Sequence, residues 1–309
     1  VINVLFSAPH ERWEAYAPHL RAAFDAASLN VHLAPDLPPD QVDYVIYAPR
    51  GDLDDFTPYT RCKAVLSLWA GVEQIVGNDT LTMPLTRMVD PGLTRGMVEW
   101  VTGHVLRYHL DMDRDIIRTD AQWDVHVPPL AAERSVVVLG LGALGLAVAE
   151  TLKGIGFDVS GWSRTAKSIP GMRTFHEPGG LTAALSRAEI AILLLPDTPA
   201  TENTLNAHTL AQMPKGGRII NPGRGALIDD DALLEALDAR HIAHATLDVF
   251  RVEPLPADHP FWSHPNITVT PHIAAETRAG TASQVIAENI RRCEAGQSLL
   301  HLVDRQTGY

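Results

Sequence analysis

The sequence predicts an α/β protein of two doubly wound parallel-sheet domains, one larger than the other. Three observations carry that expectation. Short β-branched runs alternate with helical periods along the chain, as in a parallel sheet with crossover helices. The length of 309 residues suits about two domains at roughly 150 residues each. The stretch Val136 to Gly145 joins an apolar strand to a helix through glycines spaced G-x-G-x-x-G.

Taken in order, residues 2–8 read as a strand. His10 to Ser28 reads as a helix, with Trp13, Tyr16, Ala17, Leu20 and Phe24 near a 3.6 period. Strands follow at 30–34, 42–48, 64–69 and 85–89, with a short helix after Ala70-Gly71. Met97 to about Arg118 reads as one long helix leading out of this first, smaller, flavodoxin-like domain. Then come strands at 136–139, 158–162, 190–195, 218–221, 245–250 and 267–270, enough for a complete dinucleotide-binding sheet. Helices fit near 181–187, 202–213 and 230–239, with Thr201 and Asp229 as N-caps. A last helix over 274–295 is expected to return to the first domain. The expected division is therefore 1–96 with 276–309, a discontinuous substrate domain, and 97–275, a Rossmann cofactor domain.

The glycine stretch has a physical reading. Gly140 permits the tight turn, Gly142 lets backbone approach a pyrophosphate, and Gly145 lets helix and strand pack closely. Ala143 and Leu144 complete the turn, and the helix start offers unpaired N–H groups to phosphate. An NAD site needs an acidic residue at the tip of the next strand. Here that tip reads Trp162-Ser163-Arg164-Thr165-Ala166-Lys167, and Asp158 stands at the wrong end. Arg164 offers a planar fork, Ser163 a hydroxyl and Lys167 a second cation, so the expected cofactor is NADP(H) rather than NAD(H).

Composition narrows the function classes. The formal charge is −12, which argues against a nucleic-acid partner. Two cysteines far apart in sequence suggest a reducing, cytoplasmic setting. No apolar run approaches the ~20 residues of a membrane span. His241 and His244 lack a third ligand nearby, so no metal is expected.

Three later segments place polar residues at strand ends, where α/β sheets assemble sites. They offer Arg224, then Asp248 and Glu253, then His272. The glycine fingerprint, Asn221…Arg224-Gly225, Asp248-Val249-Phe250…Glu253-Pro254-Leu255-Pro256 and Thr270-Pro271-His272 together resemble the D-isomer-specific 2-hydroxyacid dehydrogenases. Trp162-Ser163-Arg164-Thr165…Lys167-Ser168 and Val303-Asp304-Arg305…Gly308-Tyr309 are most similar to its glyoxylate/hydroxypyruvate reductase A branch.

The resemblance implies NADPH-dependent reduction of a small anionic 2-oxoacid to the D-2-hydroxyacid. His272 would be the general acid, a role worth ~10²–10⁴-fold, and Glu253 would hold its ring. Arg224 would polarise the carbonyl and bind the carboxylate, which the N–H groups of Ala70 and Gly71 would also hold between the domains. Leu195, Pro196, Asp197 and Thr198 would line the cofactor, and Asp248 would bond the nicotinamide amide. The 97–118 helix and the Trp123 segment resemble the family's dimer contact, implying a homodimer. Trp69 departs from the family's small residue and puts pocket size in question. The alternatives are a reductase for a bulkier 2-ketoacid and a non-catalytic NADP(H)-sensing protein.

Overall fold

The computed structural model describes residues 1–49, 51–116 and 120–305. In chain order the strands are β1 (Ile2–Ser7), β2 (Val31–Ala34), β3 (Tyr44–Tyr47), β4 (Ala64–Ser67), β5 (Leu85–Thr86), β6 (Ser135–Leu139), β7 (Asp158–Ser163), β8 (Arg173–His176), β9 (Ile190–Leu193), β10 (Gly217–Asn221), β11 (Ile242–Leu247) and β12 (Ile267–Val269). The helices are α1 (His10–Ala26), α2 (Pro91–His109), α3 (Asp113–Ile116), α4 (Ala143–Ile155), α5 (Glu177–Leu185), α6 (Ala207–Leu210), α7 (Asp230–Asp238) and α8 (Ala279–Glu294). The chain divides into two compact units, Val1–Leu93 with Thr277–Tyr309, and Thr94–Glu276.

The smaller unit holds a five-stranded sheet in the order β2-β1-β3-β4-β5, all parallel. That is the flavodoxin-like order. Side chains alternate across it, as strand geometry requires. Val4, Phe6, Tyr44, Ile46 and Leu66 face α1 and α8 through Tyr16, Leu20, Phe24, Ile286 and Ile290. Leu5, Val45, Val65 and Leu85 face the other way, onto Phe56, Val72, Ile75 and Leu81 from loops. The helix expected after Gly71 is only a run of turns, in which Ile75 and Val76 N–H reach the Val72 carbonyl.

The larger unit holds seven parallel strands in the order β12-β11-β10-β9-β6-β7-β8. Numbered from β6, this is the 3-2-1-4-5-6 Rossmann order with one further strand at the edge. Val137, Leu139, Ala191 and Leu193 pack on one face with Leu233 and Leu237 of α7. Val136, Val138, Ile190 and Ile192 pack on the other, with Met97, Val101 and Val105 of α2 and Val148 and Leu152 of α4. Both faces are covered, which is why these strands read as near-continuous apolar runs.

Several expected boundaries move. Helix α2 starts at Pro91, not Met97, because the Asp90 carboxylate accepts the N–H groups of Gly92 (2.9 Å) and Leu93 (3.3 Å). Asp followed by Pro is a strong cap signal. The described helix ends at His109, followed by α3, and Ile117 and Arg118 lie outside the described residues. The 202–213 helix contracts to α6, capped by Asn206 rather than Thr201. Asp229 caps α7 as expected, its side chain accepting from Ala232 N–H at 3.1 Å. Strand β8 is an addition at the sheet edge.

A polar set joins α2 to β11 and β12. Tyr108 Oη bonds Thr246 Oγ1 at 2.6 Å, Arg107 donates to Thr268 Oγ1 at 2.9 Å, and His244 Nε2 meets the same hydroxyl at 2.9 Å. Burial, seconded by the Arg107 cation, pushes the pKa of both His244 and His104 down to about 4. Unfolded, each ring takes a proton near 6.5. Between those values the unfolded chain binds more protons, so stability rises with pH there and falls as pH drops from about 6.5 toward 4. The urea midpoint is expected to fall from pH 7 to pH 5, and to fall less in the His104→Gln, His244→Gln double variant. Equal pH dependence in the two proteins would contradict the assignment.

Candidate active site

All seven strands of the larger unit run the same way, so their carboxyl ends share one edge. Register fixes the alignment: Leu139 pairs Trp162 and Leu193, Asn221 pairs Leu247, and Leu247 pairs Val269. Strand order reverses between β6 and β9, where open α/β sheets bind ligands.

The fingerprint turn sits at that point. Gly140 has φ 104°, and a Cβ there would stand 2.4 Å from the Leu194 carbonyl oxygen. A Cβ on Gly145 would stand 1.8 Å from the Gly140 oxygen, so α4 can close on β6 only with glycine. Around Gly142, at the start of α4, no heavy atom lies within 4 Å of the Cβ position. This open backbone at a helix start fits a dinucleotide pyrophosphate. Ala143 and Leu144 form the first turn of α4.

At the tip of β7, Arg164 and Lys167 are exposed. Lys167 Nζ donates to the carbonyl of Leu141, inside the glycine turn, so a cation stands at the phosphate-facing loop. Ser163 is buried and donates its hydroxyl to Thr165 O at 2.8 Å, shaping the tip. Trp162 anchors it by donating Nε1–H to Glu177 O at 2.9 Å. Leu195 is buried in the core, and the Pro196 carbonyl accepts the Thr201 hydroxyl at 2.6 Å.

The chemical residues follow β10, β11 and β12. Arg224 is half-buried after β10. Asn221 shapes its loop, accepting Gly223 N–H at 3.1 Å and donating to Arg224 O at 2.9 Å. The sequence reading gave Asn221 no role, although Asn-Pro-Gly is a turn signal. Asp248 is fully buried. Its Oδ1 accepts Thr270 Oγ1–H (2.6 Å) and Ile273 N–H (2.9 Å), and its Oδ2 accepts Ala274 N–H (2.8 Å). Burial pushes this carboxyl up, against those hydrogen bonds. Its carboxylate clamps the His272 loop, and about one of its four acceptor positions is left for another donor.

His272 sits at φ 54°, a region that L side chains adopt at a cost. Its N–H is shared between Asp248 O (2.9 Å) and Thr270 O (3.0 Å), which holds it there. Its Nδ1 meets Glu253 Oε2 at 2.7 Å, and half the side chain is exposed. Glu253 Oε1 accepts Phe250 N–H at 2.9 Å. Burial pulls the Glu253 carboxyl upward, but His272, the Phe250 N–H and the nearby Arg224 cation outweigh it and hold it below the ordinary range. The structure thus brings His272, Glu253 and Arg224 together.

In the smaller unit, Trp69 is half-buried and packs against the core cluster of that unit. Its carbonyl accepts Met88 N–H at 2.9 Å. The N–H groups of Ala70 and Gly71 donate to no acceptor among the described residues.

A glycine turn at the switch point with a histidine–carboxylate pair and an arginine on the same sheet edge defines an oxidoreductase of the Rossmann type. The profile of the D-isomer specific 2-hydroxyacid dehydrogenase NAD-binding domain matches residues 103–274. The chain belongs to the D-isomer-specific 2-hydroxyacid dehydrogenase family.

Among its relatives is a glyoxylate/hydroxypyruvate reductase A of Yersinia enterocolitica serotype O:8 / biotype 1B, 36% identical with the whole of both chains covered. Another, from Serratia proteamaculans, is 40% identical over 81% of this chain and 82% of its own. A solved 2-hydroxyacid dehydrogenase of Xanthobacter autotrophicus Py2, in complex with NADPH and MES, is 39% identical at a TM-score of 0.91, covering 100% of this chain and 99% of its own. An NADPH-dependent glyoxylate/hydroxypyruvate reductase of Sinorhizobium meliloti, with NADP and sulfate, is 33% identical at 0.86, with both chains fully covered.

The Asp248 clamp makes a direct prediction. In Asp248→Asn an amide NH₂ replaces one acceptor, so a buried loop N–H loses its partner at about 1–3 kcal/mol. Urea unfolding should show that loss, and kcat should fall with it. An unchanged midpoint would mean the clamp contributes nothing.

Proposed function

We propose that this protein reduces small 2-oxoacids, glyoxylate or hydroxypyruvate first, to D-2-hydroxyacids with NADPH. The observation that carries the reading is the His272–Glu253 pair at 2.7 Å beside Arg224, on the sheet edge that bears the glycine turn. The names of the relatives support the substrate class.

When bound, NADPH supplies the hydride that goes to C2 of the oxoacid. Glu253 takes Nδ1 of His272, so Nε2 is the nitrogen that hands a proton to the carbonyl oxygen as it becomes a hydroxyl. The ring keeps its Nδ1–H on the carboxylate throughout. Arg224 polarises the carbonyl and balances the substrate's carboxylate, and in the smaller unit the N–H groups of Ala70 and Gly71 are open to a carboxylate. Asp248 acts mainly by positioning His272, with its remaining acceptor position available to the nicotinamide amide. Arg164 and Lys167 hold the 2′-phosphate. Packing of Trp69 on the core favours no bulkier substrate over these.

Initial rates of NADPH oxidation with glyoxylate and hydroxypyruvate test the reading. Turnover is expected with both, falling by ~10²-fold or more in His272→Ala. Arg164→Ala should weaken NADPH about ten- to a hundredfold, one charge-assisted bond, and leave NADH use nearly unchanged. Tight NADPH binding without turnover on either acid would overturn the substrate assignment. Equal loss with both cofactors would overturn that of Arg164.

A homodimer belongs to the same proposal. Trp123, Val125, Val127 and Leu130 are 96, 76, 82 and 74% exposed in one segment, an apolar run of the kind that marks a protein interface. Light scattering should give a dimer at micromolar concentration, and Trp123→Asp with Val127→Asp should give a monomer. A monomeric wild type would rule the dimer out.

A further inference from the structure

Arg87 follows β5 in the smaller unit, at the carboxyl edge of its sheet. The guanidinium is half-buried, and burial lowers its pKa with no acidic group opposing the shift. Among the described residues its side chain has no ion pair and no hydrogen bond. Its titratable neighbour is His301, whose carbonyl accepts the Arg87 N–H at 3.0 Å. Burial, and then the Arg87 cation, lower the His301 pKa, so that ring brings no negative charge.

A partly buried cation without a counter-ion is costly, and none of this chain's 37 acidic side chains supplies one among the described residues. The adjacent residue shows where the missing anion belongs. Met88 N–H bonds the Trp69 carbonyl at 2.9 Å, tying the Arg87 segment to the loop whose Ala70 and Gly71 N–H groups have no acceptor. The Arg87 segment and the loop with free donors thus both lie at the carboxyl ends of neighbouring parallel strands, β4 and β5.

We infer that Arg87 is a substrate-binding residue that supplies the counter-charge for a carboxylate held at the Ala70–Gly71 loop. The inference rests on the proposed reading of that loop. It also separates Arg87 from a structural arginine. A structural arginine destabilises the fold when removed, whereas a cation kept for a ligand does not.

The test compares wild type, Arg87→Met and Arg87→Lys. In Arg87→Met, KM for glyoxylate should rise about tenfold or more while kcat and NADPH affinity hold, and the melting temperature should stay level or rise. Arg87→Lys should recover part of KM. Oxamate added to the NADPH-saturated protein should raise the melting temperature of wild type further, but not that of Arg87→Met. An unchanged KM, or a lower melting temperature restored by lysine, would overturn the inference. If wild type turns over neither oxoacid, the catalytic reading fails on its own, and the oxamate shift still decides Arg87. No shift in wild type, or an equal shift in Arg87→Met, counts against it.

Discussion

Parallel pairing of all seven strands in the larger unit is the constraint from which its chemistry follows. Parallel strands put every carboxyl end on one edge, so segments more than a hundred residues apart in sequence arrive there without long loops. The glycine turn after β6, the cationic tip of β7 and the loops after β10, β11 and β12 share that edge. Apolar packing on both faces holds the register. A one-residue slip in any strand would exchange its side chains between the two packed faces and move its terminal side chain with them.

Two carboxylates on this edge do different work because their surroundings differ. Asp248 is fully buried, and three donors from the segment after β12 converge on it. It fixes backbone, including the left-handed His272. Glu253 is partly open and keeps one oxygen for Phe250 N–H and one for the imidazole. Burial raises the first carboxyl, while cationic neighbours hold the second down. The smaller unit contributes the opposite imbalance, a half-buried cation without a counter-ion among the described residues.

Much of this was legible in the sequence, for identifiable reasons. The fingerprint works through backbone conformation and close approach, which only glycine satisfies, so Gly140 and Gly145 announce themselves. Strand ends carry Arg224, Asp248, Glu253 and His272 because apolar runs stop there. What stayed hidden depended on pairing at a distance. Capping by Asp90 extends α2 upstream to Pro91, and the Asp248 carboxylate takes the N–H groups of Ile273 and Ala274, so α8 starts later than its apolar period suggests. Edge strand β8 has a mixed, partly exposed surface and no apolar run to betray it. Arg87 has no motif around it, and only the absence of a carboxylate among its described neighbours singles it out.

The central claim is that one sheet edge carries both the dinucleotide and the proton donor. A crystal structure with NADPH and oxamate tests it most directly. The account predicts the 2′-phosphate against Arg164 and Lys167, the pyrophosphate over Gly142, and the oxamate carbonyl oxygen within hydrogen-bonding reach of His272 Nε2. A nicotinamide bound away from His272, or a 2′-phosphate turned away from Arg164, would contradict it.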